Sequence, residues 1–458
     1  MSKSDNKTFY KALLQLAVPI TLQSLVMSLL FMTDQVMVGQ LGDIAIATVG
    51  IASKINSVVS VVLAGLAAAL SIYVAQYWGK KDRKSISQLL GLALTIGLAL
   101  SLLFAAVVFI KPDWLLSLFT TDKNILGDGR IYLQIVAISF IPAMLTMLYS
   151  AMLRSTGHVK FPMYISLLTV IVNVVLNYLL IFGHFGFPEL GLAGSAYATL
   201  TARIIECSLI IGSVYVYKLP GGTSVKELFS ISKPLANKFL ITMYPLVLTE
   251  LVWVLSEAVY AIIYSRMGTV EMTAMTITFP LQGLMIGMLT GISGAAAVMV
   301  GNKLGAGEAI IAQQYAKRLI RFGIVVAFGL GIVIALIAPL YAKLFQVSTE
   351  ANQLSIYILW VFAAFIWVKV ANMIMAGSVL QSGGDSKFVF AMESSVTWLV
   401  GVPLGLLLSV VWKQPIFWVY FFLSLEEVVR FIIGWQRFRS GKWVRNLTTN
   451  TNAESISA

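Results

Sequence analysis

The sequence predicts an all-α integral membrane protein: twelve transmembrane helices forming two parallel six-helix repeats around a central cavity. Three observations carry this. Of 458 residues, 59% are hydrophobic and 11% charged, about half the charged share of a soluble domain. Apolar runs near or above the roughly 20 residues that cross a hydrocarbon core recur along the whole length. Landmarks of the first half return in the second at a nearly constant spacing.

Apolar runs bounded by charged, Gly or Pro punctuation place the first six spans at about 11–38, 47–78, 87–111, 128–153, 160–183 and 192–217. The other six fall at about 240–264, 278–302, 320–345, 353–380, 386–410 and 415–437. Residues 1–217 form an N-lobe, 218–239 an inter-lobe linker, 240–437 a C-lobe and 438–458 a tail. The polar end of the tail, "NLTTNTNAESISA", reads as disordered. Lys3, Lys7 and Lys11 precede the first span, and no small-residue cleavage site follows a short apolar core, so the first helix is expected to stay.

The net charge of +12 invites a nucleic-acid reading, but the basic residues sit in particular loops. Lys80, Lys81, Arg83, Lys84, Arg154, Lys160, Lys226, Lys233, Lys317, Arg318 and Arg321 lie in even-numbered loops, and the tail adds Arg437, Arg439, Lys442 and Arg445. Odd-numbered loops hold fewer. The positive-inside rule then puts both termini of a multi-pass protein in the cytoplasm, with lipid rather than nucleic acid as its surroundings. Cys207 is the only cysteine, and His158 and His184 lie near loops. Metal, Ser/His and Cys/His chemistry lack their parts, so neither an enzyme nor a bound cofactor is expected.

The landmark spacing is constant from Pro19 to Gly79. Pro19 and Pro245, Gly42 and Gly268, and Gly79 and Gly305 are each separated by 226 residues. Later pairs drift by one: Tyr132 with Tyr357 at 225, "STGHVKF" with "SGGDSKF" and Arg203 with Arg430 at 227. Six is even, so both copies enter the membrane in the same orientation, as in two-lobe alternating-access transporters.

Asp34 is the first polar anomaly. It lies 23 residues beyond Lys11, ~35 Å along a straight helix and so in the outer half of the membrane. Desolvation disfavours the charged form of a carboxyl group, and a group so placed can exchange a proton under physiological gradients. The alternative is an acid held permanently by hydrogen bonds. Asn173 and Asn177, four apart on one face of the fifth helix, can bond either form of a carboxyl group.

Two lobes of six helices, together with "AVPI", "TDQVMVGQLG", "SGGDSKF" and "SGKW", resemble the multidrug and toxic compound extrusion (MATE) family, nearest its DinF-like bacterial branch. The resemblance spans nearly the whole chain. It implies an antiporter of the bacterial inner membrane that exports organic, often cationic or amphipathic, drugs by alternating access; a monomer is expected. It also implies an N-lobe ion site at Asp34, Asn173, Asn177 and Tyr132, with Thr199 a weaker member, and a first helix that bends near Pro19. Asn177 stands where some relatives carry a second aspartate, and a single carboxylate suits H⁺ better than Na⁺, which stays open.

The C-lobe carries Glu250 and Glu257, seven apart on one face, as candidates for substrate contact or a second ion site. Glu426 with Arg430, and Arg203 with Glu206, read as structural pairs within helices. The rival function is a flippase for a lipid-linked or polyprenyl sugar, but a pyrophosphate head calls for several inward cations and the N-lobe offers only Arg203.

Overall fold

The computed structural model describes residues 3–449, so the tail end expected to be disordered lies, from residue 450, outside the described residues. The first half of the chain forms α1 (Lys3–Gly39), α2 (Asp43–Gly79), α3 (Arg83–Ile110), α4 (Pro112–Ser117), α5 (Lys123–Ile138), α6 (Phe140–Ser155), α7 (Lys160–Phe182) and α8 (Gly191–Val216). A short α9 (Val225–Leu228) leads to α10 (Lys233–Met267), α11 (Thr269–Gly305), α12 (Ala309–Ala342), α13 (Thr349–Ile374), α14 (Ser386–Val396), α15 (Val402–Leu406) and α16 (Ile416–Arg439). No strand occurs among the described residues.

This is the twelve-helix fold, with three departures from the expected spans. Ten of the described helices are long and apolar enough to cross a membrane. The fourth span is two pieces, α5 and α6, bent by 41° at Ser139. Pro142 in the first turn of α6 explains the break, because its ring forbids continuing the ladder from α5. The last span, α16, carries Glu426, Glu427 and Arg430 and is polar for a lipid-facing run. The third departure is length: α1, α10, α11 and α12 begin 7 to 11 residues earlier than their apolar windows, at Lys3, Lys233, Thr269 and Ala309. Apolar windows end where lipid ends, whereas helices run on into water until a cap stops them. Asp82 is such a cap, its carboxylate accepting from the Ser85 amide at 3.0 Å at the start of α3.

The chain divides into two compact units, and the division does not follow the repeats. One unit holds the described residues up to Thr21, Ala75–Lys81 and everything from Tyr244; the other holds Leu22–Val74 and Asp82–Met243. The expected linker, 218–239, lies inside the second unit, and the boundaries cut α1, α2 and α10 within their lengths. Two of these cuts fall beside helix-interior prolines, Pro19 in α1 and Pro245 in α10. A proline deletes one backbone hydrogen bond, which lets the two halves of a helix pack with different partners.

In the first unit α13 packs on α11, α12 and α16, and the buried core joins Phe9 and Leu13 of α1 to Phe362, Ile374 and Trp443. Gly291 of α11 lets α1 approach closely, since a Cβ there would strike the Ala17 carbonyl and the Thr21 hydroxyl. Thr21 donates to the Met288 carbonyl at 3.1 Å beside it. After α16 the chain turns back: Trp443 is fully buried, and the Arg445 carbonyl and Leu447 amide both bond the buried Gln76 side chain. In the second unit α8 packs on α5, α6 and α7, with Gly194 seating it against the Leu180 carbonyl of α7.

Candidate ion and substrate sites

In the second unit α1 and α7 bring Asp34 and the two asparagines together. Asn177 Nδ2 donates to Asp34 Oδ1 at 2.6 Å and to Asn173 Oδ1 at 3.1 Å. Asn177 is fully buried, Asn173 nearly so, and Asp34 half-buried. The four-residue spacing on α7 aligns the amides on one face, one turn apart. Asn177 Oδ1 is buried and accepts no hydrogen bond from the protein. Tyr132 of α5 packs on Val38, Ala45 and Val49, shares a hydrogen bond with Ser195 and lies within electrostatic range of Asp34. Thr199 sits half-buried on α8, one turn before Arg203.

Arg203 extends this site beyond the expected residues. Its charge acts on Asp34, and it pairs with Glu206 at 2.9 Å. The buried Glu206 carboxylate accepts from Ser166 at 3.1 Å, Ser166 accepts from Gln23 at 3.0 Å, and Gln23 accepts from Arg154 at 3.4 Å. A polar chain thus threads α6, α1, α7 and α8 through an apolar unit. Burying such groups is costly unless each finds a partner, so the chain fixes Glu206 and, through it, the Arg203 charge that acts on Asp34. The pair Arg203–Glu206 is therefore part of a network rather than an isolated helical pair. Gln23 and Ser166 had one signal in the sequence, polar side chains within apolar runs.

The first unit holds a second polar cluster. Glu426 accepts from Tyr260, from Arg430 and, at 2.7 Å, from Thr397. Glu427 lies 3.6 Å from both Lys369 and Arg430 and accepts from Asn372 at 2.8 Å. Thr397 opens a π-helical turn, Thr397–Gly401, and a Cβ on Gly401 would strike the Glu426 carboxylate and the Tyr260 hydroxyl. The wide turn and the missing side chain make room for the acid. Glu393 and Glu257 lie within electrostatic range of Arg430, which leaves four carboxyl groups facing two cations, Lys369 and Arg430. Glu257 is exposed at the edge of this cluster, and Glu250, two turns earlier on α10, is half-buried and lies within electrostatic range of Glu393. The structure therefore joins both to the cluster, Glu257 beside Lys369 and Arg430 and Glu250 through Glu393.

The repeat offsets relate the two clusters. Residue 34 corresponds to 260, and 199 to 426, so the first repeat has its acid on the first helix and a threonine on the last, while the second has a tyrosine on the first and the acid on the last. Arg203 and Arg430 are equivalent and face the acid in each.

A twelve-helix membrane bundle made of two repeats, with a buried ion-pair network in each, has the architecture of a membrane transporter. The MatE family model matches the chain twice, over residues 19–179 and 245–407, beginning each time at the paired prolines. The chain belongs to the MATE family of multidrug and toxic compound efflux transporters, and it is not an enzyme. It is 26% identical over 447 residues to an uncharacterized transporter, YisQ, of Bacillus subtilis (strain 168), covering 97% of both chains. It is 25% identical to a probable multidrug resistance protein, NorM, of Rhizobium meliloti (strain 1021), covering 96% of both. A crystal structure of a mutant of the Vibrio cholerae MATE transporter VcmN superposes with a TM-score of 0.89 at 20% identity, covering 97% of this chain and 99% of that one.

Proposed function

We propose that the protein is a proton-coupled antiporter that exports organic, often cationic, compounds across the bacterial inner membrane as a monomer, with Asp34 as the group that takes up and releases the proton. The observation that carries this is the amide environment of Asp34. Asn177 donates to the carboxylate through Nδ2, while its Oδ1 stays buried without a protein donor. One amide can therefore serve both forms of the acid, its NH₂ bonding the anion and its carbonyl receiving the hydroxyl of the neutral form. Ionised, Asp34 is also held by the charge of Arg203; protonated, it loses that attraction. Protonation thus changes what α1 is attached to in this unit, and Pro19 supplies the point at which α1 can bend in response.

The substrate class rests on the likeness to a probable multidrug resistance protein, NorM, and on the carboxyl excess around Glu257 in the first unit, which suits a cation. The basic-residue asymmetry supports cytoplasmic termini, and an added cysteine beside Asp43 should then react with impermeant thiol reagents from outside while one among Lys80–Lys84 should not. The deciding experiment is uptake of an organic-cation dye into proteoliposomes under an imposed pH gradient or an imposed Na⁺ gradient, applied separately. Uptake driven by Na⁺ alone would replace the proton with sodium. Transport of a lipid-linked sugar in place of the dye would overturn the reading.

A further inference from the structure

A pocket of about 430 Å³ opens between the start of α12 and the end of α16, within the first unit. Gln313, Lys317 and Arg321 line it from α12, and Trp435, Phe438 and Arg439 from α16. Three cations converge on it, all exposed, and no acid lines it. Nearby acids are engaged elsewhere: Glu308 pairs with Lys303 at 2.6 Å, and Asp385 with Arg437 at 2.6 Å. Gln313, Lys317 and Arg321 are spaced by four, so two like charges share one helical face, an arrangement that repels unless an anion answers it. Beyond Arg321 runs the apolar "FGIVVAFGLGIVIALIAPLY", which puts the pocket at the boundary of the hydrocarbon, where Trp435 also belongs.

The other repeat provides the comparison. At the 226 offset, Gln313, Lys317 and Arg321 correspond to Ser87, Gly91 and Thr95, and at 227 Arg439 corresponds to Gly212. None is charged. In that unit the place of the missing Gly91 side chain is taken by the Leu228 carbonyl of α9, the chain closing its own groove. A basic residue at this position is thus not a requirement of the fold, and the positive-inside bias is served by other loops.

The structure assigns to this pocket the binding of an anionic phosphate group, supplied by an acidic lipid headgroup at the membrane surface or by free phosphate. Arg321 and Arg439 can each offer a planar pair of donors to phosphate oxygens, Lys317 adds a point charge, and Trp435 lies against the glycerol region. This is independent of the coupling site.

The test is binding to the purified full-length protein of three probes: short-chain phosphatidylglycerol, short-chain phosphatidylcholine and inorganic phosphate. Phosphatidylglycerol should bind in preference to phosphatidylcholine, about fivefold more weakly to K317G and about a hundredfold more weakly to K317Q/R321Q/R439Q. A variant with equal charge loss elsewhere, K84Q/K160Q/K226Q, should bind as the parent does. If inorganic phosphate binds with the same dependence on these variants, the pocket stands and its ligand is the soluble ion. Equal binding by the parent and the K317Q/R321Q/R439Q variant, or equal losses in both triple variants, would overturn the assignment. K317G supplies the residue of the other repeat, so the question does not hang on the folding of the triple variant.

Discussion

Gly79 and Gly305, separated by 226 residues, each pack against the backbone carbonyl three residues before the other: a Cβ on Gly79 would strike the Asn302 carbonyl, and one on Gly305 the Gln76 carbonyl. Asn302 and Gln76 are themselves 226 apart. Ala75 likewise touches its own equivalent, Gly301. The ends of α2 and α11 therefore cross on a local two-fold relation, as in an isologous dimer interface. Carbonyl oxygens cannot retreat as a flexible side chain would, so these glycines set how closely the helices approach. Gly79→Ala or Gly305→Ala should lower stability by about 1–3 kcal/mol or more, and the double variant should fall short of the sum of the two because both changes push the same pair of helices apart. Thermal melting in detergent checks this; an unchanged melting temperature for both single variants would show that the crossing is loose.

The same symmetry indicates what was legible in the chain and what was not. The twelve spans follow from punctuation and apolar run length, which are local properties, and the offset of 226 from prolines and glycines that recur between the halves. Asp34, Asn173 and Asn177 stood out because polar groups in apolar helices are rare, and the four-residue spacing fixed their common face. Periodicity gives a face and not the neighbour that face meets. The bonds Gln23–Ser166 and Arg154–Gln23 span 143 and 131 positions, so nothing local announces them. The transfer of the acid from helix one to helix twelve in the second repeat was likewise hidden, since an alignment pairs Asp34 with Tyr260 without showing that Tyr260 bonds Glu426. The cuts through α1 and α10 at their prolines were invisible for a related reason: a kink site is local, but a change of packing partner is not.

His158 closes the turn between α6 and α7, with Nδ1 3.1 Å from the Thr156 hydroxyl. Burial holds its imidazole below the usual histidine range; the Thr156 backbone pulls it up, and the Arg83 charge adds to the lowering. The folded state therefore binds fewer protons than the unfolded chain as pH falls below about 6.5. Above that pH both states are neutral and no penalty exists; below it stability declines until the folded-state group also protonates. His158→Gln should flatten this part of the acid branch. Melting temperatures at pH 7.5 and 5.5 would show it, and an equal acid loss in parent and variant would remove His158 from the account.

Pro19 is buried and adjoins the place where α1 passes from one unit to the other. Restoring the missing amide with Pro19→Ala should strengthen the helix and stiffen this point. The expected outcome is normal insertion and dye binding with slower turnover, because a step that needs α1 to bend becomes harder. Unchanged transport at matched expression would make the proline a packing feature only.

Asp34→Asn is the sharpest test of the coupling site, because it keeps size and the capacity to bond Asn177 while removing the titrating group. The protein should insert, melt near the parent temperature and retain dye binding. Uptake driven by a pH gradient should fall to background, since an amide cannot carry a proton between the two sides and so cannot link the gradient to a change of state. Asn177→Ala should be milder: removing the 2.6 Å donor to the carboxylate should displace the pH of half-maximal transport by about one unit without abolishing transport. Glu426→Gln provides the contrast. Glu426 already has three partners, Tyr260, Thr397 and Arg430, so its neutralisation leaves Arg430 with one carboxylate contact fewer in a buried setting and should lower the melting temperature more than it alters the pH profile. If Asp34→Asn drives dye uptake at the parent rate under an imposed pH gradient, while Glu257→Gln abolishes it, the coupling carboxylate lies in the first unit and the assignment to Asp34 is wrong.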